Sequence, residues 1–241
     1  MEIDVPFYIA GIGAFALTFF LAYAVLRKYT YPAVEQPFFS DPAFFGLFVV
    51  GLIAGTVLLA FNTYLDHKNI IFMALFSVVL CLVMVAVLNL KRFHGKSDTV
   101  FYGYGIGLGM GCAMAFGTVY YYSTILNASD FEAGISDYAW FVMMAFSYIF
   151  ILSSIGTTVG EGIARLRPME FAMQAIFVNV VFGLILWAAY ISDSQFSLYA
   201  CVIMALIVSV AYFYYTMYAK LSRVVRDVLR MEGKKRNDVP K

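Results

Sequence analysis

Seven apolar runs constrain this chain more than any other feature of its sequence. Each run is long enough to cross the roughly 30 Å of hydrocarbon in a bilayer, which takes about 20 helical residues. The runs cover residues 6–26, 43–64, 70–90, 100–125, 138–160, 169–191 and 197–219. Hydrophobic residues make up 63% of the chain and charged residues 13%, a composition that excludes a water-soluble globular domain. The sequence therefore predicts an all-α polytopic membrane protein, a bundle of seven transmembrane helices.

The positions of Lys and Arg predict how the helices are oriented. Loops on the cytoplasmic side of a membrane protein carry an excess of these two residues. If the N-terminus lies outside, the basic residues after helices one, three, five and seven all fall in the cytoplasm, and only Lys68 falls outside. The 126–137 connection, which would be external, carries three acidic residues and no basic one. We therefore predict an external N-terminus, a cytoplasmic C-terminus and location in the plasma membrane.

The chain is expected to form one membrane domain followed by a tail. The seven helices occupy residues 1–219, and residues 220–241 form a basic cytoplasmic tail. Valines and a leucine alternate with the basic residues of this tail, a pattern typical of an amphipathic helix lying against anionic lipid. A solvated tail that only fixes the topology is the alternative.

The fourth helix carries the sequence GYGIGLGMG, residues 103–111, with a glycine at every second position. The run continues into further apolar residues without a break, which indicates a transmembrane helix rather than a phosphate-binding loop or an ion-selectivity filter. On a helix, Gly103, Gly107 and Gly111 share one face, and Gly105 and Gly109 lie on a nearly opposite face. Because glycines allow close backbone contact, we expect this helix to be the central one, packed tightly on both sides.

The segment SDTVFYGYGIGLGMG resembles a motif of the PrsW-type intramembrane proteases, which share a superfamily with the CAAX-processing proteases. The residues that fit the family pattern are Asp98, Tyr102, Gly103, Gly107, Leu108 and Gly109. The segment RKYTYPAVEQPFFSDPAFFGLFVVGLIAG, residues 27–55, is similar to the first cytoplasmic loop and second helix of that family. The resemblance implies a bundle in which the fourth helix stands at the active site.

The same resemblance implies that the catalytic motifs are degenerate in this chain. The chemistry of the family is attributed to Glu residues on the third and fourth helices and His residues on later ones. Here the third helix has no carboxylate, and the matching positions on helices four, five and six are Met114, Tyr148 and Asn179. A metal site needs His or carboxylate ligands that converge at membrane depth, and the seven spans contain none near their middle. We therefore expect no metal and no other cofactor.

The remaining ionisable candidates lie near the cytoplasmic ends of the helices. Glu161 and Arg165 are four residues apart, the favourable order for a helical ion pair. We interpret them as a salt bridge at the membrane boundary, although a general base at Glu161 is the functional alternative. Asp98, at the start of the fourth helix, completes this short set of weak catalytic candidates.

Uncharged polar residues within the spans give a second set of candidates. Ser153 and Ser154 belong to a hydroxyl cluster on the fifth helix that we expect to form hydrogen bonds between helices. Gln174 and Asn179 are amides at hydrocarbon depth on the sixth helix. They could bind a partner, a ligand, or neighbours inside the bundle.

The leading functional hypothesis is a catalytically degenerate PrsW-like scaffold or partner-binding protein. The non-proteolytic seven-helix subunit of gamma-secretase is similar in its glycine-bearing fourth helix and its basic tail. One alternative is an active intramembrane protease that uses Asp98, His94 and Glu161. Another is a small transporter or channel lined by Gln174, Asn179 and the hydroxyl cluster. The expected partners are the lipid bilayer and other membrane proteins or further copies of this chain, but not nucleic acid.

Overall fold

The computed structural model of the protein describes residues 5–63, 69–128, 135–192, 194–234, 236 and 238–240. Within these ranges the chain forms helices and no strand. The helices are α1 (Val5–Leu26), α2 (Asp41–Thr63), α3 (Ile70–Leu88), α4 (Asp98–Ala128), α5 (Ile135–Ala164), α6 (Pro168–Tyr190), α7 (Gln195–Tyr214) and α8 (Leu221–Met231). A 3₁₀ turn at Lys91–Phe93 precedes α4, and a π-helical turn at Tyr215–Lys220 joins α7 to α8.

Six of the helical segments in the described ranges are long and apolar enough to cross a bilayer. They are Asp41–Thr63, Ile70–Leu88, Asp98–Tyr121, Ala139–Ala164, Pro168–Tyr190 and Gln195–Met231. The first helix contributes a shorter apolar stretch, Ala10–Leu26. The prediction of an all-helical integral membrane protein is therefore confirmed.

Helix α4 stands at the centre of the bundle. Its most apolar stretch is 94% buried, whereas the corresponding stretches of α2 and α3 are 28% and 33% buried. It contacts α1, α2, α3 and α5, and α5 in turn contacts α6 and α7. A second pair, α3 and α6, packs at the side of this arrangement. A helix so enclosed has protein, not lipid, as its main environment.

One glycine face of α4 packs against α5. A Cβ atom on Gly103 would overlap the carbonyl oxygen of Gly156, and a Cβ on Gly107 would overlap that of Leu152. At Gly111, the added atom would lie 2.9 Å from the Ile149 Cα atom. The two helices therefore touch backbone to backbone over about two turns, because no side chain separates them.

The opposite glycine face of α4 packs against α2. A Cβ atom on Gly105 would lie 3.1 Å from the carbonyl oxygen and the ring of Phe44. On Gly109, the added atom would overlap the carbonyl oxygen of Phe48. Helix α4 is thus pressed between α2 and α5, with glycines making room for both.

The basic residues gather at one end of the bundle, which we call the basic end. It comprises residues 27–40, 89–98, 161–168, 215–234, 236 and 238–240, where α1, α3, α5 and α7 finish and α2, α4 and α6 begin. Every Lys and Arg in the described ranges belongs to these segments. Long-range contacts join them, including a 2.9 Å hydrogen bond between the hydroxyls of Tyr29 and Ser222 and a 3.3 Å bond from Gly95 N–H to Ile163 O.

Helix α8 packs across the basic end as a cap. Its apolar face is buried in the protein and consists of Leu221, Val224, Val225, Val228 and Leu229. The expectation that this face lies against lipid, or that the tail is simply solvated, is therefore wrong. Because α7 continues into α8 through the π turn, the apolar face is brought against the bundle instead. Gly233, with φ of +72°, ends the helix, and its N–H donates to Arg230 O at 3.1 Å.

Candidate functional site at the basic end

A network of four ionised side chains connects α5 to the π turn and α8. Glu161 is only 3% exposed, and its Oε2 lies 2.6 Å from the Lys220 Nζ. Its Oε1 lies 3.0 Å from Arg165 Nε, an ion pair in which the N–H does not point at the oxygen. Arg165 Nη2 donates to Asp227 Oδ2 at 3.1 Å. The expected pair of Glu161 and Arg165 is therefore present, as half of a larger network.

This network holds the Glu161 carboxylate between two cations. The Lys220 ammonium also lies 5.2 Å from the centre of the Phe171 ring, in a cation–π contact with α6. A buried carboxylate is costly unless it is paired, and here each of its oxygens faces a positive charge. The arrangement anchors three helical segments at the point where the spans end.

Asp98 lies away from this network, at the first residue of α4. Its carboxylate contacts the hydroxyl of Tyr102, which accepts a 3.3 Å hydrogen bond from the Ser40 N–H. The Asp98 Oδ1 atom is buried and has no hydrogen-bond partner in the described part of the chain. A buried oxygen without a hydrogen-bond donor is uncommon in folded proteins.

Two cavities meet at Lys96 and Asp98. The first, of about 310 Å³, is closed by the C-terminal segment through Leu229, Glu232, Lys234 and Arg236. The second, of about 460 Å³, runs from Arg92 along α2, where Ala43, Gly46, Leu47 and Val50 form its wall. The basic end therefore has room for a ligand beside two cations and a carboxylate.

The C-terminal segment is fixed over the first cavity by hydrogen bonds. Glu232 accepts a bond from the Ser97 N–H and lies 2.7 Å from the Lys234 ammonium. Burial raises the pKa of the Glu232 carboxyl, but the bonds from Lys234 and Ser97 outweigh burial and hold it below its usual value of 4.5. Arg236 donates to Gln36 O at 2.6 Å, and its guanidinium lies 3.9 Å from the centre of the Phe38 ring.

The three positions that the resemblance noted in the sequence would make catalytic lie within the bundle. Met114 is fully buried, and the Tyr148 ring packs edge-on against Phe182 with 5.5 Å between centroids. Asn179 Nδ2 donates a 2.7 Å hydrogen bond to Ser77 O, which joins α6 to α3. All three side chains contribute to packing between helices.

The hydroxyl cluster of α5 bonds mostly within its own helix. Ser153 and Ser154 donate to the Phe150 carbonyl oxygen at 3.0 and 2.7 Å. The hydrogen bonds between helices that were expected of the cluster are not made by the hydroxyl hydrogens of these two serines, because a carbonyl one turn earlier satisfies each of them. Thr158 does reach another helix, with 2.8 Å between its Oγ1 and the Tyr212 hydroxyl on α7.

The two amides of α6 face different surroundings. Asn179 is buried, whereas Gln174 is exposed on the outer face next to Met173 and Phe177, each 69% exposed. Gln174 forms no hydrogen bond with any described residue. The two amides thus do not line one cavity, which the transporter hypothesis would require.

No group of three His, Cys, Asp or Glu side chains that could hold a metal ion occurs among the described residues. His94, a candidate of the protease hypothesis, bonds through Nε2 to Asn89 Oδ1 at 3.0 Å. Sequence reasoning missed Lys220, Asp227 and Glu232 as members of polar networks. Their basic and acidic character was visible, but each has a partner 59 or more residues away in the chain.

Comparisons with known proteins assign this chain to no family, so its class is defined from its structure alone. The chain matches no protein-family model, and searches of curated proteins and of solved structures return no match. The long apolar helices define an all-helical integral membrane protein with a folded polar cap at one end.

Proposed function

We propose that this chain is a catalytically degenerate, PrsW-like scaffold that binds a partner membrane protein. In this proposal α1 to α7 all span the cell membrane, the N-terminus lies outside, and the basic end lies in the cytoplasm. The gathering of the basic residues at one end supports this orientation, because positive charge is retained on the cytoplasmic side. The shorter apolar stretch of α1 is long enough to span when flanking residues are included.

The candidate catalytic residues form ion pairs and packing contacts, which supports a non-catalytic role for the protein. A general base needs a carboxylate that can take a proton from water, yet both Glu161 oxygens face cations. Tyr148 and Asn179 are engaged with Phe182 and Ser77, so replacing them by ionisable residues would disturb helix packing. These positions stabilise the bundle instead of forming a reaction centre.

The partner-binding proposal rests on the exposure of the Gln174 amide on the outer face of α6. It lies six residues, or about 9 Å along the helix axis, beyond the first residue of α6. An exposed amide at that depth faces hydrocarbon, where a hydrogen bond to a second helix stabilises association by about 1–2 kcal/mol in peptides. The proposal therefore commits to a transmembrane helix of another protein, carrying a polar group opposite Gln174.

Site-specific photo-crosslinking in native membranes tests this proposal. A benzophenone side chain at Phe177, one turn from Gln174, should give one discrete protein adduct. The same probe at Ile53, 59% exposed on α2, serves as the control and should give none. Adding Gln174→Leu should abolish the Phe177 adduct. Lipid adducts alone at Phe177 would contradict partner binding, and an adduct of twice the chain mass would identify the partner as a second copy.

A separate assay distinguishes the scaffold from an intramembrane protease. The purified protein is expected to bind no stoichiometric zinc and to leave membrane-anchored reporter substrates intact. Cleavage that disappears in a Glu161→Gln variant would favour the protease. Folding of that variant must be verified independently, since Glu161 also belongs to the ion network.

A further inference from the structure

We infer that the cavity along α2 at the basic end binds an anionic phospholipid whose head group carries hydroxyls. This inference does not depend on the proposed scaffold function. The cavity is about 460 Å³ and is lined by charged groups at one end and by an apolar helix face at the other. A phospholipid has the same two-part character, a polar head group joined to apolar chains.

Arg92 and Lys96 supply the charge that would bind the phosphate. Both line the cavity, and neither forms an ion pair with a carboxylate in the described part of the chain. The Arg92 guanidinium lies 4.5 Å from the centre of the Phe93 ring, which holds it at the cavity wall. An arginine and a lysine together suit a phosphodiester, since guanidinium can bind two oxygens and ammonium adds a compact charge.

Asp98 determines which head group fits. It lines the same cavity, and a carboxylate only accepts hydrogen bonds, so a head group that carries donors suits it. Two cations and one carboxylate leave the site with a net charge of about +1. A phosphodiester with hydroxyl groups, as in phosphatidylglycerol, has one negative charge and donors for Asp98. A zwitterionic head group with quaternary ammonium carries the same phosphate but has no net negative charge and no hydrogen-bond donor.

The wall formed by α2 favours a lipid over a free phosphate ester. Ala43, Gly46, Leu47 and Val50 extend the cavity along two turns of the helix, about 10 Å. A Cβ atom on Gly46 would meet nothing within 4 Å, so the groove is open there. An acyl chain leaving the head group could lie along this wall, at the level where the helix enters the hydrocarbon.

Native mass spectrometry of the purified protein tests the inference. The protein is mixed with equal amounts of phosphatidylglycerol and phosphatidylcholine, and the ratio of the two one-lipid adducts is measured. The wild type should favour phosphatidylglycerol, and the Arg92→Ala/Lys96→Ala double variant should lower this preference about tenfold, the effect of losing charge-assisted bonds. Lys91→Ala, which removes a neighbouring charge outside the cavity, should keep it.

A second variant tests the lipid site if the double variant does not fold. Gly46→Leu fills the groove but leaves Arg92, Lys96 and Asp98 unchanged, and it should also lower the preference. Gly13→Leu is its matched control, because a Cβ there also meets nothing within 4 Å. An unchanged preference in Gly46→Leu would overturn the inference. So would displacement of the lipid by soluble glycerol phosphate at equal concentration, which would assign the site to a free phosphate ester.

Discussion

Gly103 and Gly156 are in mutual backbone contact. The carbonyl oxygen of each residue occupies the space that a Cβ atom on the other would need. Helices in a membrane associate mainly through van der Waals packing, since lipid is as apolar as their side chains. The crossing of α4 and α5 therefore depends on the absence of side chains at these two positions and at Gly107 and Gly160 beside them.

Replacing Gly107 by Leu should destabilise the bundle. The new side chain would overlap Leu152 O and force α4 and α5 apart, at a cost of at least the roughly 1–3 kcal/mol seen when cores are overpacked. Thermal unfolding in mild detergent should show a lower Tm for Gly107→Leu than for the wild type. Gly13→Leu controls for added bulk at an open position, and equal Tm values for the two variants would refute the packing described for α4.

The ion network at the end of α5 should be important for stability. In a Glu161→Gln variant, Lys220 loses its carboxylate partner, and we expect a loss of roughly 1–3 kcal/mol because the cations keep partial access to solvent. Glu170→Gln is the matched control, since that exposed pair with Arg167, at 3.5 Å, contributes at most about 1 kcal/mol. Chemical unfolding in detergent measures both, and indistinguishable variants would show that the network contributes nothing.

Docking of the C-terminal segment should depend on pH through Glu232. Because its pKa is held below 4.5 in the folded state, its contribution is present above that value and is lost as pH falls through the lowered pKa. Hydrogen exchange of residues 221–234, corrected for the intrinsic rate, should show less protection in Glu232→Gln than in wild type at neutral pH. This difference should vanish once the carboxyl is protonated. A difference that persists in acid would assign the effect to something other than the charge.

Local periodicity explains which parts of the fold could be predicted. Glycines at every second position predict that other helices pack closely on two opposite faces of α4. The spacing does not identify these helices, which the structure shows to be α2 and α5. Likewise, Gln174 and Asn179 are five residues apart, about 140° around a helix, so their different surroundings follow from spacing. The pairing of Glu161 with Arg165 is equally local.

Contacts between distant segments could not be predicted in this way. Lys220 and Asp227 join the Glu161 network only because α8 folds across the basic end. The amphipathic pattern of α8 indicates a buried face but does not say whether lipid or protein covers it. The cavity at Asp98 likewise requires the loop before α2, the 3₁₀ turn and the C-terminal segment to meet.

The central claim is that the basic end forms the cytoplasmic cap of a seven-span bundle. Single cysteines at Ala133, which lies outside the described residues, and at Gly233 test it directly in a background without the three native cysteines. With a membrane-impermeant thiol reagent on intact cells, Ala133→Cys should be labelled, and Gly233→Cys should be labelled only after permeabilisation. Labelling of both positions from the outside, or of Gly233→Cys alone, would contradict the seven-span topology and the cytoplasmic location of the cap.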